Sequence, residues 1–387
     1  MRKDKIVMPS ASARLQSALH ALSQALEKRP DKNADTIEAD LMAGRVPRYP
    51  PITMGLQIEP PAGDAPRGEP PPLQRLAEAL EGAAAGLAME NPIRPCLPVG
   101  LGGVGFLATA FGAKLDSDNP AAATVVKEPL SPSELERCAE PDPLTGGLTP
   151  QVLQYIDLIK AATPEWLKLW LPDMQGPFNI AHQLMGSEIF LEIGDQPKRL
   201  HRFMQRITDH FIAVHRLLCE RIGPARLHPS DNNRYRIAEC SCNLVSTGVY
   251  EEFVLPYDLQ ICRHYGNRVA IHPCAGRHVT EETLRHLPVV RMEAGKVPCA
   301  VAGSFNMDEI LPRLGGRKTV LLYMEDLLPG VEEQTARRYI EALQRHQTIE
   351  FYFGALHWRQ PQKQSVVDLH RRLDDFYMAC LGRSGDL

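Results

Sequence analysis

The sequence predicts an α/β chain folded as a single (β/α)8 barrel with an N-terminal helical and proline-rich extension. Three observations carry this. The chain has 387 residues, more than an ordinary domain but within the range of one barrel with insertions. Beyond residue 95, about eight short apolar runs of strand length alternate with amphipathic helical patterns, the alternation and number that close a parallel barrel. Hydrophobic residues at 44% and charged residues at 23% are those of a globular protein, which excludes collagen, coiled coil and porin.

The elements follow in order. The opening segment MRKDKIVMPSASARLQSALHALSQALEKRP has no apolar core of the signal-peptide kind, and its Leu and Ala recur at helical spacing, so it is read as an amphipathic helix. The prolines then crowd together, and the stretch from Glu59 to Pro72 can form neither a helix nor an interior strand. Because LQRLAEALEGAAAGLAME resumes the helical pattern at once, the proline-rich stretch reads as an excursion rather than a linker. Residues 1–94 are therefore assigned to an extension packed on the barrel, and 95–387 to the barrel itself.

Within the barrel, CLPVG, WLKLWLPD, RYRIAEC, RVAIHPC, VVRMEAG, CAVAGSF, TVLLYMED and IEFYFGA are the predicted strands. Helices lie between them, the clearest being QPKRLHRFMQRITDHFIAVHRLLCERIG, with Leu200, Phe203, Ile207, Phe211 and Val214 on one stripe. A doubly wound open sheet also alternates in this way, but its first strand-to-helix turn carries a phosphate-binding glycine fingerprint. Gly100-Leu-Gly-Gly-Val-Gly105 approaches one, yet lacks the spacing and the later acidic residue, and reads as a glycine-rich barrel loop.

A net charge of -4 provides no basic field for nucleic acid or an anionic membrane, so the expected partner is a small-molecule substrate. No segment approaches about 18 uncharged apolar residues, so no membrane span is expected. Nine cysteines, an odd number without the dense spacing of a secreted scaffold, point to reduced thiols in a cytoplasm.

In a barrel the chemistry sits at the C-terminal ends of the strands. Those positions are polar here: Asp173 and Gln175 after the second run, with His182 and Gln183 one turn into the next helix; Glu239, Cys240 and Cys242 after the third; His272 and Cys274 after the fourth; Glu325 after the seventh; and His357 after the eighth. His272-Pro-Cys274 stands out, because imidazole and thiolate one residue apart are the donors zinc prefers, and a catalytic zinc takes about three protein ligands with one position open. The competing reading makes His272 a satisfied polar residue and Cys274 a small buried hydrophobe. Cys240 and Cys242, at the end of the neighbouring predicted strand, offer further thiols that compete for one role. The cysteines at 96, 138, 219, 262 and 380 read as packing residues, as do most of the histidines that fall in helical patterns.

The runs LPDMQGPFNIAHQLMGSEIFLEIGDQPKRLHRFMQRITDHFI, GVYEEFVLPYDLQICRHYGNRVAIHPCAG and VLLYMEDLLPGVEEQTARRYIEALQ resemble the uroporphyrinogen decarboxylase superfamily, over roughly residues 95 to 380. The resemblance implies a (β/α)8 barrel with a deep cleft. It also implies one of two chemistries: decarboxylation of uroporphyrinogen without a cofactor, or zinc-dependent, corrinoid-linked methyl transfer. In the methyltransferase branch a His-x-Cys pair, matched by His272 and Cys274, and a later Cys bind zinc. The loop expected to hold that Cys reads Phe353-Gly-Ala-Leu-His357-Trp358, which leaves His357, Cys240 or Cys242 as the third ligand. The decarboxylases' arginine-rich N-terminal motif is replaced by Gly44-Arg-Val-Pro-Arg48-Tyr-Pro-Pro51.

The function expected is thus a zinc-dependent methyl or alkyl transferase moving a methyl group between a corrinoid, or similar carrier, and a thiol. Asp173, Gln175, His182 and Gln183 would orient the acceptor, and Glu239 or Glu325 would support the ligating histidine. The alternatives are a cofactor-free decarboxylase of a carboxylated tetrapyrrole or other small acid, and a barrel that binds a corrinoid or tetrapyrrole without catalysis. A corrinoid protein and a second copy of the chain are the partners the resemblance implies.

Overall fold

The computed structural model describes residues 11–27, 48, 72–87, 96–116, 126, 128–228, 235–266, 269–272, 285–294, 319–323, 337, 341, 349–352, 363–380 and 382. Seven strands are present among them: β1 (Cys96–Pro98), β2 (Lys168–Trp170), β3 (Tyr235–Ala238), β4 (Val269–His272), β5 (Val289–Ala294), β6 (Thr319–Tyr323) and β7 (Ile349–Tyr352). β1 pairs with β2, and β3 to β7 form a second sheet in strict sequence order; every pairing is parallel.

The two sheets approach each other through the chain that leads into β3. Leu169 of β2 forms a parallel bridge with Leu227, its N–H donating to the Arg226 carbonyl at 2.7 Å while the His228 N–H donates to its own carbonyl at 3.0 Å. A doubly wound sheet reverses its strand order at a switch point. No reversal occurs among the described strands, so the fold is the α/β arrangement with sequence-neighbouring parallel strands. β5 bonds directly to β6 in the register Arg291↔Thr319 to Ala294↔Leu322, so no strand stands between them. The sixth predicted run, Cys299 to Phe305, lies outside the described residues.

The helices are α1 (Ala11–Glu27), α2 (Pro72–Leu87), α3 (Pro132–Arg137), α4 (Thr149–Ala162), α5 (Pro177–Met185), α6 (Glu188–Asp195), α7 (Pro197–Ile222), α8 (Thr247–Phe253), α9 (Leu255–His264) and α10 (Lys363–Cys380). α7 shows why they form. Pro197 occupies its first turn, where a missing N–H costs nothing, and Leu200, Phe203, Met204, Ile207, Phe211, Val214, Leu218 and Ile222 recur at three- and four-residue intervals, all buried. It stops at Gly223, whose φ of 83° suits glycine. Each fully buried large side chain on this stripe stabilises the fold by roughly 1.5–3 kcal/mol.

At the N-terminal end α1 packs on α2, burying Leu15, Ala18 and Leu22 and Leu76, Ala77 and Leu80. Arg14 crosses this contact to Glu81, at 2.9 and 2.8 Å, and to Glu78 at 3.2 Å. α2 is tied onward by Arg75, which donates to the Gly100 carbonyl at 2.6 Å and lies 5.0 Å from the Tyr155 ring centroid. The glycine run that follows β1 forms a 3-10 turn at Gly103–Gly105, with Gly102 at φ 70°. A Cβ on Gly102 would meet Leu148 at 2.6 Å, so close packing as well as backbone angle calls for glycine there.

Candidate functional site

The described part of the site is built where α5 begins, against the chain leaving β3. α5 starts on Gly176 and Pro177, and its Phe178 and Asn179 N–H groups point at the Glu239 carboxylate, at 3.1 and 2.8 Å. The unsatisfied amides of a helix N-terminus are a natural partner for a carboxylate. The approach is tight, since the Gly176 N–H also reaches the Ala238 carbonyl at 2.9 Å. Glu239 lies over the Gly176 Cα so closely that an added Cβ would stand 2.7 Å from its Cγ. Gly176 has an ordinary φ of -68°, so the neighbouring carboxyl and not the backbone angle excludes a side chain.

From this point a hydrogen-bonded chain runs across both segments. Gln175 Nε2 donates to Asp173 Oδ1 at 2.9 Å, Asn179 Nδ2 donates to Gln175 Oε1, and Asn179 Oδ1 accepts from both the N–H of Ser241, at 3.1 Å, and its hydroxyl. The same hydroxyl lies 2.8 Å from His182 Nδ1. The His182 ring sits 5.5 Å from that of Phe190, and burial holds its imidazole below the ordinary value, so it is neutral at pH 7.

Behind the helix end lies a second carboxyl. Asp258 on α9 is 2% exposed, and its Oδ1 is buried without a hydrogen-bond partner. Burial raises both Glu239 and Asp258 well above the carboxylate range, and for Glu239 the nearby Asp258 adds to it. The Phe178 and Asn179 N–H groups oppose this rise at Glu239 by favouring its charged form. The Cys242 thiol is 4.0 Å from Glu239 Oε2 and lies in the apolar core; burial and then the Glu239 charge push its pKa up, keeping it a thiol.

Among the residues singled out from sequence, Asp173, Gln175, His182 and Glu239 meet in this cluster. Gln183, on the next position of α5, has its Oε1 buried without a partner. Cys240–Leu244 is a 3-10 helix, not a continuation of the strand, so strand alternation does not govern the two thiols: Cys242 is buried and Cys240 half-buried. The backbone of His272 ends β4 in register with Ala238. Cys274, Glu325 and His357 lie outside the described residues. Among the described residues there is no group of three His, Cys, Asp or Glu side chains able to hold a metal.

Sequence reading missed Asn179, Ser241 and Asp258. A carboxylate on the apolar stripe of α9, beside the buried Ile261 and Cys262, was the available signal for Asp258. Asn179 and Ser241 gave none, because their meaning lies in contacts 62 residues apart. A cavity of about 320 Å³ lined by Leu135, Cys138, Glu192, Arg199, Phe203 and Arg206 contains none of the predicted site residues, so volume alone does not mark the site.

Parallel strands in sequence order, with polar side chains gathered where β3 ends, define an α/β protein whose candidate site lies at the end of β3 and the turn that follows. Residues 103–294 match the model of uroporphyrinogen decarboxylase (URO-D). Among solved structures, a methyltransferase from Methanosarcina mazei shares the fold, with a TM-score of 0.57 at 16% identity, the match covering 78% of this chain and 86% of that one. No curated protein matches in sequence. No described helix is long and apolar enough to cross a membrane.

Proposed function

We propose that this protein is a zinc-dependent methyltransferase that moves a methyl group between a corrinoid, or similar carrier, and a thiol, on a closed (β/α)8 barrel. The observation that carries this reading is the register of β4 on β3. Ala238 pairs with His272, so His272, the first residue of the His272-Pro-Cys274 motif, stands in its strand beside the residue that leads into Glu239, Cys240 and Ser241. The structural likeness to the methyltransferase from Methanosarcina mazei supports this branch.

The donor types fit zinc: the His272-Pro-Cys274 motif offers an imidazole and a thiol, and Cys240, on the turn after the strand that pairs with β4, is a half-buried thiol. His272 and Cys274 would hold the metal together with Cys240 or His357. Cys242 fits less well, since its thiol packs in the core and is held protonated. When bound, zinc supplies a Lewis acid that keeps a substrate thiol as thiolate at neutral pH.

The remaining work falls to the protein's own side chains. Glu239 anchors the start of α5 and so fixes where His182 and Gln183 stand. Asp173 and Gln175, joined at 2.9 Å, orient the polar end of the acceptor.

Metal analysis of the purified protein tests this. About one zinc per chain is expected, falling to background in the His272→Ala/Cys274→Ala double variant. Absence of zinc after reconstitution, or full retention in that variant, overturns the assignment.

A further inference from the structure

The chain of hydrogen bonds from Asp173 to His182 has a direction, and the direction decides which nitrogen of His182 carries its proton. Two of its groups cannot reverse roles. The Ser241 backbone N–H can only donate, and it meets Asn179 at 3.1 Å; the Asn179 atom there must be the carbonyl oxygen. The amide nitrogen of Asn179 is then turned to Gln175 Oε1, and the Gln175 amide nitrogen to the Asp173 carboxylate, an acceptor. Both amides are thus oriented consistently from either end.

The Ser241 hydroxyl has one proton, and its contact with Asn179 Oδ1 consumes it, because that oxygen has nothing to donate. Toward His182 the hydroxyl can only accept. His182 Nδ1, at 2.8 Å, must therefore be the protonated nitrogen. A neutral imidazole carries one N–H, so Nε2 is left with a bare lone pair, and among the described residues no hydrogen bond uses it.

We infer that Asn179 and Ser241 are positioning residues that lock His182 in its Nδ1–H tautomer, presenting Nε2 as the base that takes the proton from the acceptor thiol. In that step the S–H bond breaks, its electron pair stays on sulfur, the proton joins the Nε2 lone pair, and the imidazolium later returns it to water. Burial of the ring keeps it neutral and ready to accept. The proton-acceptor role rests on the proposed thiol methyl transfer; the tautomer does not.

The test is therefore made without substrate, on full-length 15N-histidine-labelled protein, with the His182 signal among the 13 histidines assigned by its loss in His182→Gln. At neutral pH the wild type should show protonated Nδ1 and unprotonated Nε2. Ser241→Ala should lower that tautomer ratio by roughly tenfold, the factor equivalent to one hydrogen bond of about 1.4 kcal/mol, and Ser241→Thr, which keeps the hydroxyl, should restore it. A wild-type His182 protonated on Nε2, or a ratio unmoved in Ser241→Ala while that variant remains folded, overturns the inference. Loss of thiol methylation with the tautomer intact would instead overturn the transferase reading alone.

Discussion

Gly176 and Glu239 show how closely single residues define this site. The carboxyl of Glu239 occupies the space a side chain on residue 176 would need, with the Cγ 2.7 Å from an added Cβ, and it caps the Phe178 and Asn179 amides at 3.1 and 2.8 Å. Gly176→Ala should therefore displace the carboxyl and loosen the start of α5. The expected cost is about 1–3 kcal/mol, the range for an overpacked buried position, read from the urea midpoint. An unchanged midpoint would contradict the close approach. At this scale Asp173, Gln175, His182 and Glu239 are singled out from sequence because barrel chemistry sits at the C-terminal ends of strands, and the structure gathers these four in one cluster. The relation of Asn179 to Ser241 was not legible, since a hydrogen bond between residues 62 apart leaves no trace in local spacing.

Among the elements, α7 has the most direct consequence for stability. Its buried face includes His210 and His215. Burial lowers His210 to about 4, against the opposing pull of the Pro141 backbone and Asp142, and lowers His215 to about 3, with His264 adding to it. The unfolded imidazoles titrate near 6.5. Both groups thus contribute stability that is complete above about pH 6.5 and is lost as pH falls from there toward the folded values, because the unfolded chain binds more protons throughout that interval. Stability should fall by as much as about 1.4 kcal/mol per pH unit for each histidine. Thermal melts between pH 7 and 4 check this: the acid limb should flatten in His215→Leu, and an equal slope in the variant would contradict the assignment. The helical stripe of α7 was plain from its apolar spacing, and so were α1 and α2 flanking the proline-rich stretch. The 3-10 helix at Cys240–Leu244 was not, because RYRIAEC reads as an unbroken strand pattern while the chain turns as soon as Glu239 reaches the α5 amides.

For the molecule as a whole, parallel strands taken in sequence order bring polar side chains far apart in the sequence to one end of the sheet. That order was foreseeable from the alternation of apolar runs and helices, and from the absence of a full glycine fingerprint after β1. The pairing of β5 with β6 was not, because a run such as CAVAGSF has strand-like composition wherever it lies. The register that sets His272 beside Ala238 joins the fold to the proposed chemistry, since it places the first residue of the His-x-Cys motif next to the chain that leads into Glu239 and Ser241, the latter 2.8 Å from His182. Transfer of a methyl group from methylcobalamin to a small thiol, followed by mass spectrometry of the thioether, tests that chemistry most directly. Zinc-loaded protein should form the thioether, and the His272→Ala/Cys274→Ala variant should lose at least about a hundredfold of the rate, as expected when a metal that generates the nucleophile is removed. Zinc-loaded protein that forms no thioether, yet releases carbon dioxide from a carboxylated substrate in the presence of a chelator, would contradict the account.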